Sequence, residues 1–258
     1  MDYQTIRLTT TDGYAVITLN RPDVMNALNT QMRAELLHAV KAAETDARAI
    51  VLTGEGKAFC SGQDLGDGAS VANANLERTL RDEYEPLLKA IYDCQVPTIA
   101  AVNGPAAGAG ANLALAADVV IAAENAVFLQ AFARIGLIPD AGGTYWLPRQ
   151  VGFARAMGAA LFAEPVGAKQ AADWGMIWEA VPEAGFEAHW RRRAATLAAG
   201  PTVAYRHAKE ALRQSYSNTM EQQLTLEAKL QGRCGKTRDF REGVMAFLEK
   251  RPAEYEGR

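Results

Sequence analysis

Short apolar runs alternate with amphipathic segments along this chain. Residues 6–10 and 14–20 are strand-like and flank Asp12-Gly13, a dipeptide typical of two-residue hairpin turns. Residues 30–45 repeat apolar positions at helical spacing, which places Met32, Leu36, Leu37 and Val40 on one face. The pattern predicts a hairpin followed by an amphipathic helix.

The same periods predict the remaining elements. Residues 98–102 form a short, β-branched apolar run between Pro97 and Asn103-Gly104, which is typical of a strand buried on both faces. Further helices are predicted at 76–94, 111–117, 154–161 and 168–174. Further strands are predicted at 47–52, near 176–181, and within the apolar run that follows the helix at 111–117. From residue 183 the pattern is helix on helix, with breaks at Gly200-Pro201 and at 232–235. We therefore expect an α/β main domain with a smaller helical appendage.

Composition and charge narrow the class of protein. The chain has 258 residues, 49% of them hydrophobic, a net charge of −3 and a pI of about 5.7. No Lys/Arg run indicates nucleic-acid binding, and no apolar run approaches the ~20 residues of a membrane span. Cys60, Cys94 and Cys234 lie too far apart for a CxxC zinc site and suit reduced, packed thiols. The N-terminus lacks a signal-peptide core, so a cytoplasmic location is expected.

Two glycine-containing segments are candidates for presenting backbone amides. The run GPAAGAG at 104–110 has almost no side chains and precedes a predicted helix, so its N–H groups and the positive end of the helix dipole would face a neighbouring group. FCSGQDL at 59–65 directly follows a strand. Two amides that pinch an oxygen of growing negative charge are worth about 3 to 4 kcal/mol each. Tight strand-to-helix packing explains the glycines at 104–110 equally well.

Asp140 is the candidate acid or base, because it stands between an apolar run and two glycines in IGLIPDAGGT. Desolvation raises the pKa of a carboxyl group, which makes its ionised form a better proton acceptor near neutral pH. The alternative is that Asp140 caps the helix that opens at Gly142. His38, His189 and His207 fall in predicted helices without metal or triad spacing, and Cys60 has no supporting histidine. No metal, flavin or nicotinamide site is predicted.

The chain as a whole resembles the crotonase, or enoyl-CoA hydratase/isomerase, superfamily. The resemblance rests on the ordered motifs LNRPDVMNALN, LTGEGKAFCSGQDL, PTIAAVNGPAAGAGANLALAADVVIAA, FARIGLIPDAGGT, LPRQVG and AFLEKRP. GQDL, AAGAGA, IGLIPD and WGMIW are most similar to the epoxyphenylacetyl-CoA isomerases of the phenylacetate pathway. The resemblance implies a ββα spiral with two roughly perpendicular sheets over residues 1–199, a helical trimerisation region over 200–258, and a homotrimer or hexamer.

The resemblance also implies roles for particular residues. The two oxyanion amides would belong to Gln63 and Ala109, which would hold the thioester oxygen of an acyl-CoA. The implied CoA and substrate contacts are Val24, Met25, Ala27, Ser61, Asp64, Leu65, Gly110 and Phe132, with Phe247 and Lys250 offered from the C-terminal helix, often to a neighbouring subunit. An equally good interpretation of Lys250 is an ordinary solvent-exposed lysine at the end of a helix. Coenzyme A would enter as part of the substrate, and no separate cofactor is expected.

The departures from the family pattern favour isomerisation. Asn112 and Phe132 stand where hydratases of the family have two glutamates, and neither side chain can shuttle a proton. Asp140 stands where isomerase branches keep their acid. The expected reactions are conversion of 1,2-epoxyphenylacetyl-CoA to oxepin-CoA and a Δ3,Δ2 double-bond shift, in a pocket shaped by Phe128, Phe132, Trp146 and a mobile loop at 66–75. The alternatives are a hydratase with unusual acid/base residues and a noncatalytic acyl-CoA-binding homologue.

Overall fold

Six strands form the main sheet of the computed structural model, which describes residues 2–66 and 75–258. The strands are β1 (Ile6–Thr11), β2 (Tyr14–Leu19), β3 (Ala49–Gly54), β4 (Thr98–Val102), β6 (Val119–Ala123) and β9 (Glu179–Val181), in the order β1-β2-β3-β4-β6-β9. β1 and β2 pair antiparallel around Asp12-Gly13, both with positive φ, and the later neighbours pair parallel. The predicted hairpin is confirmed, whereas β3 begins two residues later than expected and β9 is confined to the end of the predicted run.

A second sheet of three short strands was not individually predicted. It consists of β5 (Ala106–Ala107), β7 (Val127–Leu129) and β8 (Val166–Gly167), in the order β5-β7-β8. Strands of two or three residues are too short to show alternation in a sequence, so hydrophobic periodicity cannot reveal them.

The described helices cover most of the ranges that the sequence predicts. They are α1 (Thr30–Asp46), α2 (Leu76–Thr79, a π-helical Leu80–Tyr84 and Glu85–Tyr92 in one run), α3 (Ala109–Leu115), α4 (Gly143–Val151), α5 (Phe153–Phe162), α6 (Ala168–Asp173), α7 (Phe186–Ala198), α8 (Thr202–Gln214), α9 (Met220–Cys234) and α10 (Arg238–Glu249). Single 3-10 turns occur at Pro22–Val24 and Ala131–Ile135. The helical C-terminal region and the break at Gly200-Pro201 are as expected.

The inner strands of the main sheet, β2, β3, β4 and β6, are buried on both faces, which explains their continuous apolar sequences, whereas the edge strand β1 is mostly exposed. In β4, Ala100 and Val102 join the larger core with α1, while Ile99 and Ala101 join a second core with Phe186 and Trp190 of α7. A parallel sheet covered by helices on both sides has no polar face, so its strands contain no alternation. The predicted two-faced burial of residues 98–102 is confirmed.

Helix α1 illustrates how local signals fix an element. The side chain of Asn29 accepts a hydrogen bond from the amide of Met32 at 2.8 Å and so caps the helix. Met32, Leu36 and Val40 are buried against the sheet, as their spacing predicts.

The C-terminal helices are tied to the sheet through a charged cluster. Lys209 and Arg213 of α8 bind the carboxylate of Asp118 at 2.7 and 2.6 Å, and Lys209 also donates to the carbonyls of Cys94 and Val96. Within residues 2–66 and 75–258, no helix is long and apolar enough to cross a membrane. The loop expected at 66–75 lies, apart from its two end residues, outside the described residues.

Candidate active site

Two loops predicted to contact coenzyme A, 24–27 and 61–65, pair with each other. The amide of Ser61 donates to the carbonyl of Met25 at 2.9 Å, and the amide of Leu28 donates to the carbonyl of Gly62 at 2.8 Å. Arg21, which precedes the first loop, forms an ion pair of 2.7 Å with Asp64 of the second loop. The hydrogen bond from Arg21 lowers the pKa of the Asp64 carboxyl group. Val24, Met25 and Leu65 remain exposed on the edge that these loops form.

The glycine-rich segment after β4 packs directly against the loop after β3. A Cβ on Gly110 would lie 2.4 Å from the carbonyl oxygen of Cys60, and a Cβ on Gly62 would lie 2.7 Å from that of Ala107. Gly62 and Gly108 also have φ values of +98° and +52°, which favour glycine. The tight packing that the sequence offered as an alternative explanation of these glycines is therefore present.

The amides of Gln63 and Ala109 are neighbours with no internal partner in the described part of the chain. The parallel bridge between Leu28 and Gln63 uses the carbonyl of Gly62 and the amide of Asp64, which leaves the Gln63 N–H facing the other way. Ala109 is the first residue of α3, where an N–H has no acceptor within the helix. A Cβ on Gly62 would lie 3.4 Å from the Ala109 nitrogen, so the two segments are in contact. Two main-chain amides without internal partners, on segments that touch, are what an oxyanion hole requires.

The position of these amides follows from the sheet. β3 and β4 are adjacent parallel strands, and Gln63 and Ala109 lie in the segments that follow their carboxyl ends. Ligands of parallel sheets bind at this edge.

A buried network that the sequence did not predict holds the side chain of Gln63. Its Oε1 accepts hydrogen bonds from Arg33 Nη1 at 2.9 Å and from the Tyr84 hydroxyl at 2.6 Å. Arg33 is 3% exposed and also donates to the carboxylate of Glu83 and to the carbonyl of Leu28. Tyr84 and Glu83 belong to the π-helical turn of α2, a feature frequent at functional sites. An arginine inside an amphipathic helix pattern looks like a surface residue, so periodicity could not reveal this contact.

Asp140 lies on a strained turn and does not cap α4. Gly142 occupies the cap position without any side-chain cap bond, so the helix-cap alternative is wrong. Among the described residues, the Oδ1 atom of Asp140 is buried without a hydrogen-bond partner. Burial raises the pKa of Asp140 to about 6. The predicted desolvated carboxyl group is therefore present, and it can accept a proton near neutral pH.

Asp140 lines a cavity of about 790 Å³ between α2 and the start of α4. Its walls are mainly apolar and aromatic, with Leu80, Tyr84, Leu88, Tyr92, Ile138 and Trp146. Two other carboxylates reach this cavity from α2: Glu77 is paired with Arg81 at 2.9 Å, and a hydrogen bond from Lys89 lowers the pKa of Glu85. The pKa of Asp140 is thus raised where that of Glu85 is lowered, and Asp140 is the better proton acceptor of these two near neutral pH.

Asn112 and Phe132, which the family resemblance places where hydratases have two glutamates, lie close to the candidate site. Asn112 is fully buried and pairs with Gln130, and its Nδ2 donates to the main-chain carbonyl of Asp140 at 2.7 Å. The ring of Phe132 lies 3.8 Å from where a Cβ of Gly108 would be. Of the three aromatic residues predicted to shape the pocket, Trp146 lines the cavity, whereas Phe128 and Phe132 are buried and do not line it, so the prediction is wrong for these two.

Other candidates lie outside this constellation. Phe247 is 83% exposed on α10 and lines a groove between the C-terminal helices, and Lys250 is exposed at the end of α10. Within one chain neither is brought to the Asp140 cavity. Cys60 is buried, and burial raises the pKa of its thiol to about 12, so packing rather than nucleophilic attack is its role, as predicted.

Comparison with known proteins finds relatives over nearly the whole chain. The family model described as enoyl-CoA hydratase/isomerase matches residues 9–258. A Rhodobacter capsulatus protein named "Probable enoyl-CoA hydratase" is 66% identical over 258 residues, which is 100% of each chain. The 1,2-epoxyphenylacetyl-CoA isomerase of Escherichia coli K12 is 43% identical over 251 residues, covering 95% of this chain and 96% of that protein.

Solved structures give the same result. An enoyl-CoA hydratase from Polaromonas sp. JS666 matches with a TM-score of 0.92 at 33% identity, covering 97% of this chain and 99% of that one. An enoyl-CoA hydratase from Bacillus anthracis matches with a TM-score of 0.91 at 32% identity, covering 99% of this chain and 100% of that one.

Proposed function

Because this chain belongs to the enoyl-CoA hydratase/isomerase family and has its crotonase fold, we propose that it is an acyl-CoA isomerase that works through a thioester enolate. Enzymes of this family act on acyl-CoA substrates, which supports an acyl-CoA as the substrate of this chain. The choice of isomerisation rests on Asp140, a single desolvated carboxylate in an apolar cavity.

In the proposed mechanism one carboxylate transfers a single proton, and two main-chain amides bind the thioester oxygen. The amides of Gln63 and Ala109 bind the thioester oxygen, which acidifies the C–H bond at Cα. The carboxylate of Asp140 removes the Cα proton of a 3-enoyl-CoA, and the electron pair moves onto the thioester to give a dienolate. The Asp140 carboxyl group then returns the proton to C4, which yields the 2-enoyl-CoA and regenerates the carboxylate. No water and no second acid enter the cycle.

The cavity supports a substrate with a ring or a branched apolar acyl group. Tyr84, Tyr92 and Trp146 provide aromatic walls that suit a six- or seven-membered ring. The relative from Escherichia coli K12 is named for 1,2-epoxyphenylacetyl-CoA. Conversion of this epoxide to oxepin-CoA would also begin with loss of a proton from the Cα atom of the thioester. We therefore propose this epoxide and Δ3-enoyl-CoA thioesters as the two substrates to test.

The deciding experiment compares crotonyl-, 3-hexenoyl- and 1,2-epoxyphenylacetyl-CoA as substrates of the wild-type protein and of Asp140→Asn. We expect turnover of the epoxide, of 3-hexenoyl-CoA or of both, and a loss of about 10²- to 10⁴-fold in the variant, because the amide cannot accept the proton. A variant rate within a few-fold of wild type would show that Asp140 is not the base.

A second candidate, hydration, is favoured by the name of the Rhodobacter capsulatus relative. Rapid conversion of crotonyl-CoA with incorporation of labelled solvent oxygen into the product would establish it and would exclude a pure isomerase. A third possibility, acyl-CoA binding without chemistry, would give calorimetric binding of an acyl-CoA without exchange of the Cα hydrogen with solvent.

A further inference from the structure

The turn that carries Asp140 is held from beneath by a fully buried amide. The Nδ2 atom of Asn112 donates to the main-chain carbonyl of Asp140 at 2.7 Å, and the amide of Gly143 donates to the same oxygen at 2.8 Å. Asn112 is 0% exposed, so its side chain has no contact with solvent. Its contact with Asp140 is made to the main chain and leaves the carboxylate free.

Gln130 fixes the orientation of the Asn112 amide. Gln130 Nε2 donates to Asn112 Oδ1 at 2.8 Å, and Asn112 Nδ2 donates its other hydrogen to Gln130 Oε1 at 3.3 Å. Gln130 is itself 4% exposed. The reciprocal pair saturates the Asn112 side chain, and a rotated amide would place oxygen against oxygen. The amide pair therefore presents an N–H at one fixed point beneath the turn.

The turn itself requires such support. Ala141 and Gly142 both have positive φ, +47° and +82°, and a left-handed backbone at alanine costs about 1 kcal/mol. A Cβ on Gly143 would lie 2.4 Å from Asn112 Nδ2, so the start of α4 is pressed against the amide. A strained turn persists only where its surroundings specify it.

Asn112 belongs to α3, the helix whose first amide is the Ala109 donor. A rigid seven-residue helix therefore joins the proposed oxyanion donor to the amide that holds the Asp140 turn. The geometry points to Asn112 as a positioning residue that, with Gln130, fixes the distance between the proton-transfer carboxylate and the oxyanion hole. This assignment rests on the proposed function, because it presumes that Asp140 transfers the proton.

The test needs variants that separate positioning from stability. Asn112→Leu removes the donor but leaves Gln130 buried and unpaired, so it lowers both stability and activity. The double variant Asn112→Leu/Gln130→Leu replaces the whole amide pair with apolar groups of similar size, which restores most of the stability. It does not restore the hydrogen bond to the Asp140 carbonyl.

We expect both variants to lose about 10- to 100-fold in kcat while KM changes less than about 3-fold, because misplacing a reacting group by 1 Å costs about that much. We also expect the acidic limb of the pH profile of kcat/KM to move below its wild-type midpoint, because a relaxed turn admits water to the Asp140 carboxyl. The other titratable and charged groups of the cavity, which stay unchanged, are Glu77, Arg81, Tyr84, Glu85, Lys89, Tyr92 and Tyr145.

Thr53→Val is the matched control, since the Thr53 hydroxyl is buried and donates to the carbonyl of Ala101 at 2.8 Å within the sheet. The Thr53→Val substitution should lower the melting temperature without moving the acidic limb of the pH profile of kcat/KM. If the double variant recovers wild-type kcat and the wild-type limb along with its stability, Asn112 is only structural and the inference is overturned. Retention of activity in Asp140→Asn would instead overturn the proposed function, whatever the Asn112 variants do.

Discussion

At the scale of single residues, burial has opposite consequences for two candidates that the sequence offered. Cys60 is buried and donates to the carbonyl of Asn26, and the raised pKa of its thiol removes it from chemistry. Asp140 is less deeply buried, and the raised pKa of its carboxyl group brings it into the range where it can both take and return a proton. Because a carboxyl group starts from a much lower pKa than a thiol, desolvation brings Asp140 into the working range near neutral pH and moves Cys60 further out of it.

The pH dependence of catalysis tests this directly. Proton abstraction requires the Asp140 carboxylate, whose pKa is raised to about 6 by burial. We expect kcat/KM for isomerisation to rise with pH through a midpoint near about 6 and to be flat at about pH 8, measured as initial rates in constant-ionic-strength buffers. The residual rate of Asp140→Asn is the control and should lack this limb. A midpoint near 4 would indicate a solvated carboxyl group.

The same burial makes Asp140 costly for stability. The folded state binds the Asp140 proton more tightly than the unfolded chain, so the free energy of unfolding falls as pH rises from about 4 to about 6. Asp140→Asn should therefore be more stable than wild type above pH 6 by about 1 to 2 kcal/mol, after allowance for partial solvent screening. Urea denaturation at pH 5 and 7.5 measures the difference, and an equal gain at both pH values would contradict the explanation.

The sequence was sufficient to predict the candidate base, but not the residues that support the site through contacts between distant segments. Asp140 stands out because an acid among apolar residues and glycines is unusual along a chain. The support of Gln63 by Arg33 and Tyr84, and of the Asp140 turn by Asn112 and Gln130, depends on contacts between distant segments. No local period encodes such contacts, so they emerge only from the folded chain.

At the scale of elements, the start of α3 is the part of the site least able to change. Its glycine-rich entry lets the helix begin in contact with the loop after β3, and this contact brings the Ala109 amide beside Gln63. The helix was predicted two residues later than it begins, because Ala109 and Gly110 have too little hydrophobic pattern to mark a start. The N-terminal residues that matter most for an anion site are thus the least visible to periodicity.

Gly110→Ala should disrupt this entry. The added Cβ would lie 2.4 Å from the carbonyl oxygen of Cys60, so α3 or the FCSGQDL loop must shift. We expect a loss of about 1 to 3 kcal/mol in unfolding free energy from overpacking, and a fall in kcat of about 10²-fold as the two amides separate. Chemical denaturation and steady-state kinetics measure the two effects.

Gly158→Ala is the matched control for this substitution. Gly158 lies inside α5, where an added Cβ meets nothing within 4 Å. Alanine there should stabilise the helix by about 0.5 to 1 kcal/mol without changing kcat. Equal kinetic effects of the two substitutions would argue against the close approach at Gly110 as the cause.

At the scale of the whole molecule, the fold was more predictable than its surface. The apolar run at 98–102 is sufficient to predict a strand covered on both faces, and the two cores on either side of β4 confirm it. Association leaves a weaker trace in sequence, because an apolar residue that faces a partner resembles one that faces the core. The exposed side chains of Phe162 on α5 and of Phe240 and Leu248 on α10 become visible only once the helices are placed.

These exposed apolar residues support the prediction that the protein is a homotrimer or hexamer, with residues 200–258 contributing to the contacts. Leu248 is 68% exposed, so Leu248→Glu should shift the mass measured by light scattering toward the monomer without unfolding the chain. Thr45→Glu, on the exposed end of α1, is the control and should leave the mass unchanged. A wild-type protein that elutes as a monomer at micromolar concentration would contradict the prediction.

The contact between the segments that follow β3 and β4, which carry the amides of Gln63 and Ala109, has a consequence for how the protein regains function from the denatured state. Each amide is supplied by the segment that follows one strand, so they meet only after both strands are paired in register. A collapsed intermediate with unpaired strands has apolar surface to attract an acyl chain but nowhere to stabilise a developing charge. After dilution from denaturant, recovery of enzymatic turnover should therefore be slower than the burial of tryptophan. The rate of that recovery would report the last step of sheet assembly.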